Sequence, residues 1–576
     1  MMDSLTQATA DSRQPFDSAS PHDQPSSERL NFLDLAPEIL EDILIIIGVV
    51  DTPTLAACAA TCQLFREILY KNPDKVLWRE IYQALYDDPV AKTATASEEP
   101  AHFDWQRRVT DLARVQQLCK DAYTVPSTKC MIDVNITIAF QELKPADVET
   151  IPRALLTLFE ETPSGPNSRN VEQLQRALSS STFWELYQLY TQSQSRYSSV
   201  QPAASHQGIS PIPGETLARI AQLNLLHGWN TPSAERRMVD RAKIRHGGGP
   251  DSAAVQSIRN EYRRIMGHHR KTVYNAGNFD DWNDWGPYAD DGTVNWPMLD
   301  SIASIMQLNV NEARDHSLAE LPGVLGWIAN DSWRTAKPPS ELGVSACVGK
   351  KLIGLTEAEL SDWANVRGVW RGTYAFMDYQ DWVRYNFQPM TVNIEHYSEA
   401  VGNFMSMHLQ PGRDPKAPAD EEEIVSPLPS SDLLPALHFH GVNHYATHHH
   451  TTSQVRGSVC LTTDNPPQIR WTWVVSMNGD DRWRLTGIQV GGRGSKRGIV
   501  GIWSAVQREQ LSPHGPFAFW PSDTHAAAPP VRPEDAIRMF QEEMAEEVRQ
   551  YAFAHRLPLD NEDGDEDDDG FDGDSD

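Results

Sequence analysis

The spacing of apolar residues changes near Val366, and this change constrains the fold more than any other feature of the 576-residue chain. Before that point, segments such as GETLARIAQLNLLHGW carry apolar residues three and four apart, which is typical of helices with one buried face. After it, segments rich in β-branched and aromatic residues are typical of strands. A helical part followed by a strand-rich part predicts an α+β chain with more than one domain. The length agrees, because single cores stop growing at roughly 250–300 residues.

Seven segments after Val366 are predicted to be strands, several of them joined by turns such as NGDDR and GGRGSKRG. They are GVWRGTYAFMDY, MTVNIEHYS, LHFHGVNHY, SQVRGSVCLTTD, IRWTWVVSM, WRLTGIQVGG and IVGIWSAV. Alternation along IRWTWVVSM places Trp471 and Trp473 on the same face of their strand. About seven antiparallel strands with glycines at their corners predict an antiparallel β-barrel or a sandwich.

The charge of the chain argues against nucleic acid as a partner. The formal net charge is −29, and the segment 560–576 (DNEDGDEDDDGFDGDSD) holds eleven acidic and no basic residues. The other 559 residues still carry −18, whereas binding to phosphates needs clustered cations. The acidic segment repels itself and is predicted to be a solvated, disordered tail.

No segment has the pattern of a membrane span or a secretory signal. The longest apolar run, ILIIIGVV at 43–50, is far shorter than the roughly 18 residues that a span requires. Residues 1–29 lack a basic start followed by an apolar core, and their composition predicts disorder. We therefore expect an intracellular protein, in the cytoplasm, the nucleus or both, with no membrane partner.

The cysteines predict neither a disulfide framework nor a zinc site. Six cysteines are too few for a framework in so long a chain, and none has the CxxC spacing. Cys58 and Cys62 lie one helical turn apart and are interpreted as small apolar residues on one helix face. GxSxG and HExxH signatures are also missing from the sequence, so we expect no cofactor and no catalytic residue.

A compact helical block follows the first thirty or so residues. Its first helix carries apolar residues at helical spacing, with Pro37 in the first turn and Asp34 as a possible cap. The apolar positions are Leu35, Ile39, Leu40, Ile43, Leu44 and Ile47 in this helix, and Leu55, Cys58, Cys62, Phe65 and Leu69 in a second. A third helix is predicted in KNPDKVLWREIYQAL. Three short helices make a poor independent core, so we expect the block to need a partner surface.

This block resembles the F-box. That family's pattern is Leu-Pro-x-Glu-Ile/Leu, an apolar helix, an Asp-Pro-like turn, a helix ending Cys-x-x-Phe and a later Trp. The matching residues are Pro37, Glu38, Ile39, Leu40, Ile43, Leu44, Leu55, Cys62, Phe65 and Trp78. The chain departs from the pattern at Ala36, where Leu is usual, and in a longer apolar turn before Asp51. Residues 270–525 also resemble the C-terminal region of a group of fungal F-box proteins whose activity is unassigned.

The resemblance implies a function in ubiquitin conjugation. F-box helices pack against a Skp-family adaptor, which bridges to a cullin scaffold, so the expected role is the substrate-recognition subunit of an SCF-type ubiquitin ligase. Such a subunit is not itself an enzyme and would present an unidentified protein substrate. The expected adaptor-binding residues are Leu35, Pro37, Ile39, Leu40, Ile43, Leu44, Leu55, Phe65 and Trp78. Some of them must form the small core of the block, and the sequence does not separate the two sets.

Three alternatives stay open at this point. The block could be a plain helical start to a larger helical domain. The chain could be an F-box scaffold that binds the adaptor but acts outside a ligase. It could also be an enzyme whose β-barrel holds a small ligand and which carries an F-box as an addition. An apolar pocket with convergent polar groups inside the barrel would favour the enzyme, and a filled interior would exclude it.

A basic turn in the strand-rich part is the first candidate for substrate binding. The segment GGRGSKRG places Arg493, Lys496 and Arg497 together on an otherwise acidic chain. Such a cluster could receive an acidic or phosphorylated segment of a substrate. The segment fits neither phosphate-loop pattern, so its glycines are interpreted as allowing a tight turn or a close backbone approach. A simple solvated turn is the competing interpretation.

Two further clusters could carry chemistry but have simpler interpretations. The segment LHFHGVNHYATHHHTT contains His438, His440, His444, His448, His449 and His450. His438 and His440 share a strand face and could share a metal, although a surface loop is the favoured interpretation. The segment DWNDWGPYADDG contains Asp280, Asp281, Asp284, Asp290 and Asp291. It lacks the order of a calcium loop and is predicted to be a capped turn with packed Trp282 and Trp285.

The predicted domain organisation therefore has six parts. They are a disordered segment at 1–29, the F-box at 30–83, a mainly helical region at 84–355, a β-rich region at 356–525 that is expected to recognise the substrate, a helix at 531–557 and the disordered acidic tail at 558–576.

Overall fold

A computed structural model gives the fold of the chain. It describes residues 35–71, 76–88, 103–124, 145–162, 168–178, 212–227, 252–315, 360–388, 392–402, 405–418, 421–445, 452–493, 497–509 and 512–522, together with positions 235, 239, 240, 243 and 495. The segments predicted at 1–29, 531–557 and 558–576 lie outside the described residues, and so does the proposed cap Asp34.

The described residues before the barrel are mainly helical, in agreement with the predicted spacing, and 275–295 form turns. The helices are α1 Pro37–Val50, α2 Thr52–Thr61, α3 Gln63–Tyr70, α4 Val76–Leu85, α5 Trp105–Thr124, α6 Pro145–Glu160, α7 Arg169–Leu178, α8 Gly214–His227, α9 Ala253–Tyr274 and α10 Trp296–Asp315, and α11 Tyr379–Phe387 follows within the β-rich region. Helix α1 begins at Pro37, as predicted, because the first helical position needs no backbone N–H.

The N-terminal block has four helices where the sequence predicted three. Cys62 is extended, with φ −152° and ψ 160°, and it separates α2 from α3. Its Sγ accepts a hydrogen bond from the backbone N–H of Phe65 at 3.5 Å, so the cysteine caps the new helix. The prediction of one continuous second helix is therefore wrong. The spacing of apolar residues does not reveal a side chain that ends one helix and caps the next.

The block is locked by a close crossing of α1 over α4. A Cβ added at Gly48 would lie 2.4 Å from Cδ1 of Ile81 and 2.9 Å from Cδ1 of Leu55, so a side chain there would force these two side-chain ends to move. The indole of Trp78 donates to the carbonyl of Leu69 at 2.7 Å and ties α4 to the end of α3. The apolar core of the block continues without a break into that of α5 to α7. The chain thus supplies part of the partner surface that the block was expected to need.

The β-rich region forms a closed antiparallel barrel of eight strands. Its strands are β1 Gly368–Phe376, β3 Met405–Pro411, β4 Leu437–Tyr445, β5 Thr452–Leu461, β6 Ile469–Met477, β7 Asp480–Gln489, β8 Ile499–Ala505 and β9 His514–Pro521, and the short β2 Ala400–Val401 pairs with one end of β1. The barrel closes where β9 pairs with β1, from Trp370 opposite Pro521 to Tyr374 opposite Phe517. The barrel prediction is confirmed over the sandwich.

Two details of the strand prediction are corrected. The segment MTVNIEHYS contains a 3₁₀ turn at Ile394–His396 instead of a strand. It is held against α9, where the buried Arg270 forms an ion pair with Glu399 at 2.7 Å and also donates to the carbonyl of Ile394. Strands β3 and β9 close the barrel but were not predicted, because MSMHLQP and HGPFAFWP carry prolines and do not alternate cleanly.

Aromatic rings fill the interior of the barrel. Trp471 and Trp473 both point inward, as the alternation predicted, and belong to the interior apolar cluster. The ring of Trp471 lies 5.2 Å from that of Trp370 and 5.1 Å from that of Phe439, measured between centroids. The ring of Trp473 lies 5.1 Å from that of Phe517 in an edge-to-face arrangement. The rings therefore occupy the centre of the barrel.

The outer face of β8 and β9 packs on helix α10. Ile488, Val500, Ile502 and Trp520 point outward and share one apolar cluster with Leu299 of that helix. The same cluster extends through α8 and α9 to the N-terminal block. The helical part and the barrel are therefore joined by a continuous core.

The barrel interior gives a prediction about stability. Replacing the buried Trp471 by Ala should lower the free energy of unfolding by about 3–5 kcal/mol, because it removes the ring from a packed centre and leaves a cavity. Replacing Trp282, whose side chain is 75% exposed, should change it by no more than about 0.5 kcal/mol. Guanidinium unfolding of the full chain, followed by near-UV circular dichroism, compares the two. Equal losses would contradict the assignment of Trp471 to the core.

Candidate functional site

Helix α1 carries an exposed apolar stripe. Ile39 is 48% exposed, Ile46 is 64% exposed and Val50 is 80% exposed, while Ile43 between them is half-buried. These four residues, called the α1 stripe below, are spaced four, three and four apart, so they follow one side of the helix. Four β-branched side chains at the surface form a stiff apolar ridge, because branching at Cβ restricts their rotamers.

The opposite side of α1 faces the core of the block, and this separates the predicted adaptor-binding residues. Leu40, Leu44, Leu55 and Trp78 are buried in the block, so they hold the helix in place and do not offer surface to a partner. Pro37 and Ile39 are exposed, and Leu35, Ile43 and Phe65 are half-buried. Ile46 and Val50 extend the surface but were not predicted, because ILIIIGVV is apolar on all sides of the helix.

The basic turn is packed against the rest of the chain. Arg497 is buried, and its Nε donates to the carbonyl of Leu226 in α8 at 3.3 Å. Arg493 is half-buried, with its Nη2 3.5 Å from the carbonyl oxygen of Asp362. The prediction of a substrate-binding loop at the surface is therefore wrong for Arg497, and Lys496 lies outside the described residues.

The glycines of this turn have the predicted role. Gly491, Gly492 and Gly498 all have positive φ, and a Cβ at Gly498 would lie 2.0 Å from the carbonyl oxygen of Phe519. A side chain at position 498 would collide with strand β9, which confirms the close backbone approach.

The strand histidines do not form a metal centre within the described part of the chain. Nδ1 of His440 lies 2.9 Å from the carbonyl oxygen of Gly412, while Nε2 of His438 lies 3.7 Å from a carboxylate oxygen of Glu423. The ring of His444 packs edge-on against that of His408 from β3, with 5.2 Å between centroids. Groups of three or more metal-ligating side chains are absent among the described residues, and His448 to His450 fall outside them.

Two histidines, the half-buried His408 and the buried His514, are held in the neutral form. Burial, together with the nearby His444 and Arg371, lowers the pKa of His408 to about 4. Burial also lowers the pKa of His514 to about 4, although its Nε2 donates to the carbonyl of Val273 at 3.1 Å. Both rings act as uncharged packing groups near neutral pH, because water cannot solvate a charged imidazole there.

The acidic turn before α10 is built around one buried carboxylate. Asp284 is fully buried and lies 2.7 Å from Nη1 of Arg508 and 3.5 Å from Nη2 of Arg484. Its second carboxylate oxygen accepts a hydrogen bond from Ser426 at 2.9 Å. One carboxylate thus ties the turn to the middle of strand β7, to the segment after β8 and to the loop before β4. The interpretation of a capped turn holds for the buried Trp285, whereas the exposed Trp282 is not packed as predicted.

Comparison with known proteins gives no relative. No protein-family model, curated protein or solved structure matches the chain. Among the described residues, no helix combines the length and the apolar character needed to cross a membrane.

The neutral His408 gives a prediction about pH. Its pKa of about 4 in the folded state lies below the ordinary value of roughly 6.5, so only the unfolded state gains a proton as the pH first falls. The stability that the neutral ring contributes is complete above pH 6.5 and is lost between pH 6.5 and 4. Replacing His408 by Gln should reduce this loss by up to about 3 kcal/mol.

The measurement is guanidinium unfolding of the wild type and the His408→Gln variant at intervals between pH 7 and 4. Burial raises the pKa of Asp300 and that of Glu160 to about 7, and these groups change stability in the opposite direction over this range. Their effect is common to both proteins, so the difference between the two curves reports His408 and its interaction with His444. Parallel curves would contradict a ring that stays neutral in the folded protein.

The buried carboxylate of Asp284 gives a second prediction. Asp284→Asn should lower the free energy of unfolding by about 3–5 kcal/mol, because Arg484 and Arg508 lose the counter-charge that they face in a mostly buried site. Asparagine accepts the positive φ of this position, so the backbone should be undisturbed. Thermal unfolding of the variant checks the value, with Asp281→Asn, a change at an exposed neighbour, as the matched control. A loss below 1 kcal/mol would show that the two arginines do not depend on this charge.

Proposed function

We propose that the N-terminal block docks a Skp-family adaptor and that the protein is the substrate-recognition subunit of an SCF-type cullin ubiquitin ligase. The observation that carries this proposal is the α1 stripe, an exposed apolar ridge on a helix whose opposite side is fixed in a core. The F-box-like order of Pro37, Cys62, Phe65 and Trp78 in the same block supports the choice of partner.

The stripe has the properties of a helix that enters an apolar groove. Its residues recur at one-turn spacing, which is how such helices present their anchors to a partner. Fully burying a side chain of this size contributes about 1.5–3 kcal/mol, so four partly exposed ones can stabilise a complex substantially. The restricted rotamers of Ile and Val reduce the entropy lost on binding.

The proposed mechanism is proximity. The chain would supply no catalytic group and would hold a target beside ubiquitin that is activated elsewhere in the complex. This converts an encounter between separate molecules into a reaction at high effective concentration. The target-binding surface would lie in the β-rich region, and the work would take place in the cytoplasm, the nucleus or both.

The alternative of a small-ligand enzyme loses its main support. It required a pocket with convergent polar groups inside the barrel, whereas the centre is occupied by Trp370, Trp471, Trp473 and their aromatic neighbours. A scaffold that binds the adaptor outside a ligase uses the same α1 stripe. Only the presence or absence of a cullin in the complex distinguishes it from a ligase subunit.

The α1 stripe gives the prediction that tests the proposal. A double variant, Ile39→Asp with Ile46→Asp, should reduce co-purification of the adaptor from a cell extract by at least tenfold, because two carboxylates would have to enter an apolar groove. Both side chains are exposed in the isolated chain, so the variant should fold normally. The double variant Phe387→Asp with Val425→Asp, which places the same two charges on exposed apolar positions outside α1, is the matched control.

Quantitative mass spectrometry of the three eluates decides between the outcomes. Adaptor and cullin that are captured by the wild type and the control, but not by the double variant, are the expected result. Adaptor without cullin would favour the scaffold. Failure of the wild type to capture any Skp-family protein would overturn the proposal and leave the α1 stripe without this partner.

A further inference from the structure

Trp282 is the most exposed aromatic side chain among the described residues. Its side chain is 75% exposed, although it sits in a turn whose other tryptophan, Trp285, is buried. An indole ring has a large apolar surface, and binding energy at protein interfaces is often concentrated in such residues. A single exposed side chain is common on protein surfaces, so the case depends on how this one is supported.

The backbone that carries Trp282 is held by a dense set of hydrogen bonds. The carboxylate of Asp280 accepts from the N–H groups of Trp282 at 3.0 Å and of Asn283 at 3.2 Å. The side-chain amide of Asn283 donates to the backbone carbonyl of Asn278 at 2.8 Å. The backbone N–H of Trp285 donates to the backbone carbonyl of Asp280 at 3.0 Å. These hydrogen bonds therefore fix the backbone position from which the Trp282 side chain projects.

The same turn stores backbone strain. Asp284 and Trp285 are consecutive non-glycine residues with φ of 50° and 54°, a conformation that costs of order 1–3 kcal/mol per residue. The ion pairs of Asp284 with Arg508 and Arg484, and the burial of Trp285, hold this conformation. Strain that is stabilised elsewhere in a structure clusters at functional sites, and here it supports a turn that projects an indole into solvent.

The surroundings of Trp282 are acidic. Asp280 and Asp281 are exposed directly beside it. Glu422 is exposed in the loop that Ser426 joins to Asp284. Arg484 and Arg508 together carry two positive charges against the single negative charge of Asp284. They therefore offset one of the three exposed carboxylates, and the surroundings of the turn keep a net negative charge.

We propose that the Trp282 turn, residues 280–285, is a docking site for a segment of another protein that carries lysine or arginine. A cation over the indole face gains about 0.5–2 kcal/mol, and the flanking carboxylates attract the same cation. The turn is preorganised, so little entropy is lost when the partner binds. Charge complementarity thus selects a basic occupant over an acidic or purely apolar one.

The experiment selects peptides from a display library of random dodecamers on the wild-type chain and on the Trp282→Ala variant in parallel. Trp282→Ala removes only an exposed ring, so the fold should persist. Phe387→Ala removes another exposed ring that has no acidic neighbours in sequence and is the control. The best selected peptides are then labelled with fluorescein, and their Kd values are measured by anisotropy at low and physiological salt.

The expected result is enrichment of lysine and arginine on the wild type and the control, with at least tenfold weaker binding to Trp282→Ala. The double variant Asp280→Asn with Asp281→Asn should keep the ring and remove most of the salt dependence. Enrichment of acidic or apolar peptides, or equal binding to Trp282→Ala, would overturn the proposal. Concentration-dependent dimers of the wild type that vanish in Trp282→Ala, seen by analytical ultracentrifugation, would assign the turn to a second copy of the chain instead.

This inference stands apart from the docking of the adaptor. The α1 stripe and the Trp282 turn are different surfaces, and each variant leaves the other surface intact. Loss of peptide binding with retained adaptor capture, or the reverse, therefore shows which of the two proposals has failed.

Discussion

Helix α10 is buried along almost its whole described length. The rest of the structure depends on the elements that cover the two sides of this helix. One side packs on the outer face of β8 and β9, and the other packs on α8 and α9. Burial on all sides also encloses Asp300, which is kept in place by a hydrogen bond from Asn224 at 3.1 Å. Its raised pKa follows from the loss of water around the carboxylate. Without this helix the barrel would expose an apolar wall and the helical part would lose its centre.

The sequence predicted the elements whose signals are local. Pro37 begins α1, and Trp471 and Trp473 share the interior face of β6, because position in a first turn and alternation along a strand are set by the nearest residues. The break at Cys62 and the strands β3 and β9 were missed. Strand β9 contains proline and glycine, which are unfavourable in strands, so its sequence does not predict one. It is held by pairing with β1, more than a hundred residues earlier.

The candidate sites could not be predicted fully for the same reason, because their exposure depends on tertiary contacts between residues far apart in sequence. ILIIIGVV is apolar on every side of its helix, so tertiary packing of Leu44 and Gly48 decides which residues face the core and which form the α1 stripe. The basic turn looked exposed in sequence because its partner for Arg497, the carbonyl of Leu226, lies 271 positions away. The exposure of Trp282 likewise depends on the distant Arg484 and Arg508, which hold the turn beneath it.

The continuous apolar core has a mechanical consequence. Because one packed cluster runs from Leu44 in the N-terminal block to Val500 in the barrel, the span between the two ends is set by close packing and not by the reach of a flexible linker. The chain would then hold a protein bound to α1 at a fixed distance from a protein bound to the barrel. A fixed distance would limit which residues of the second protein are accessible to an active site that is attached through the first.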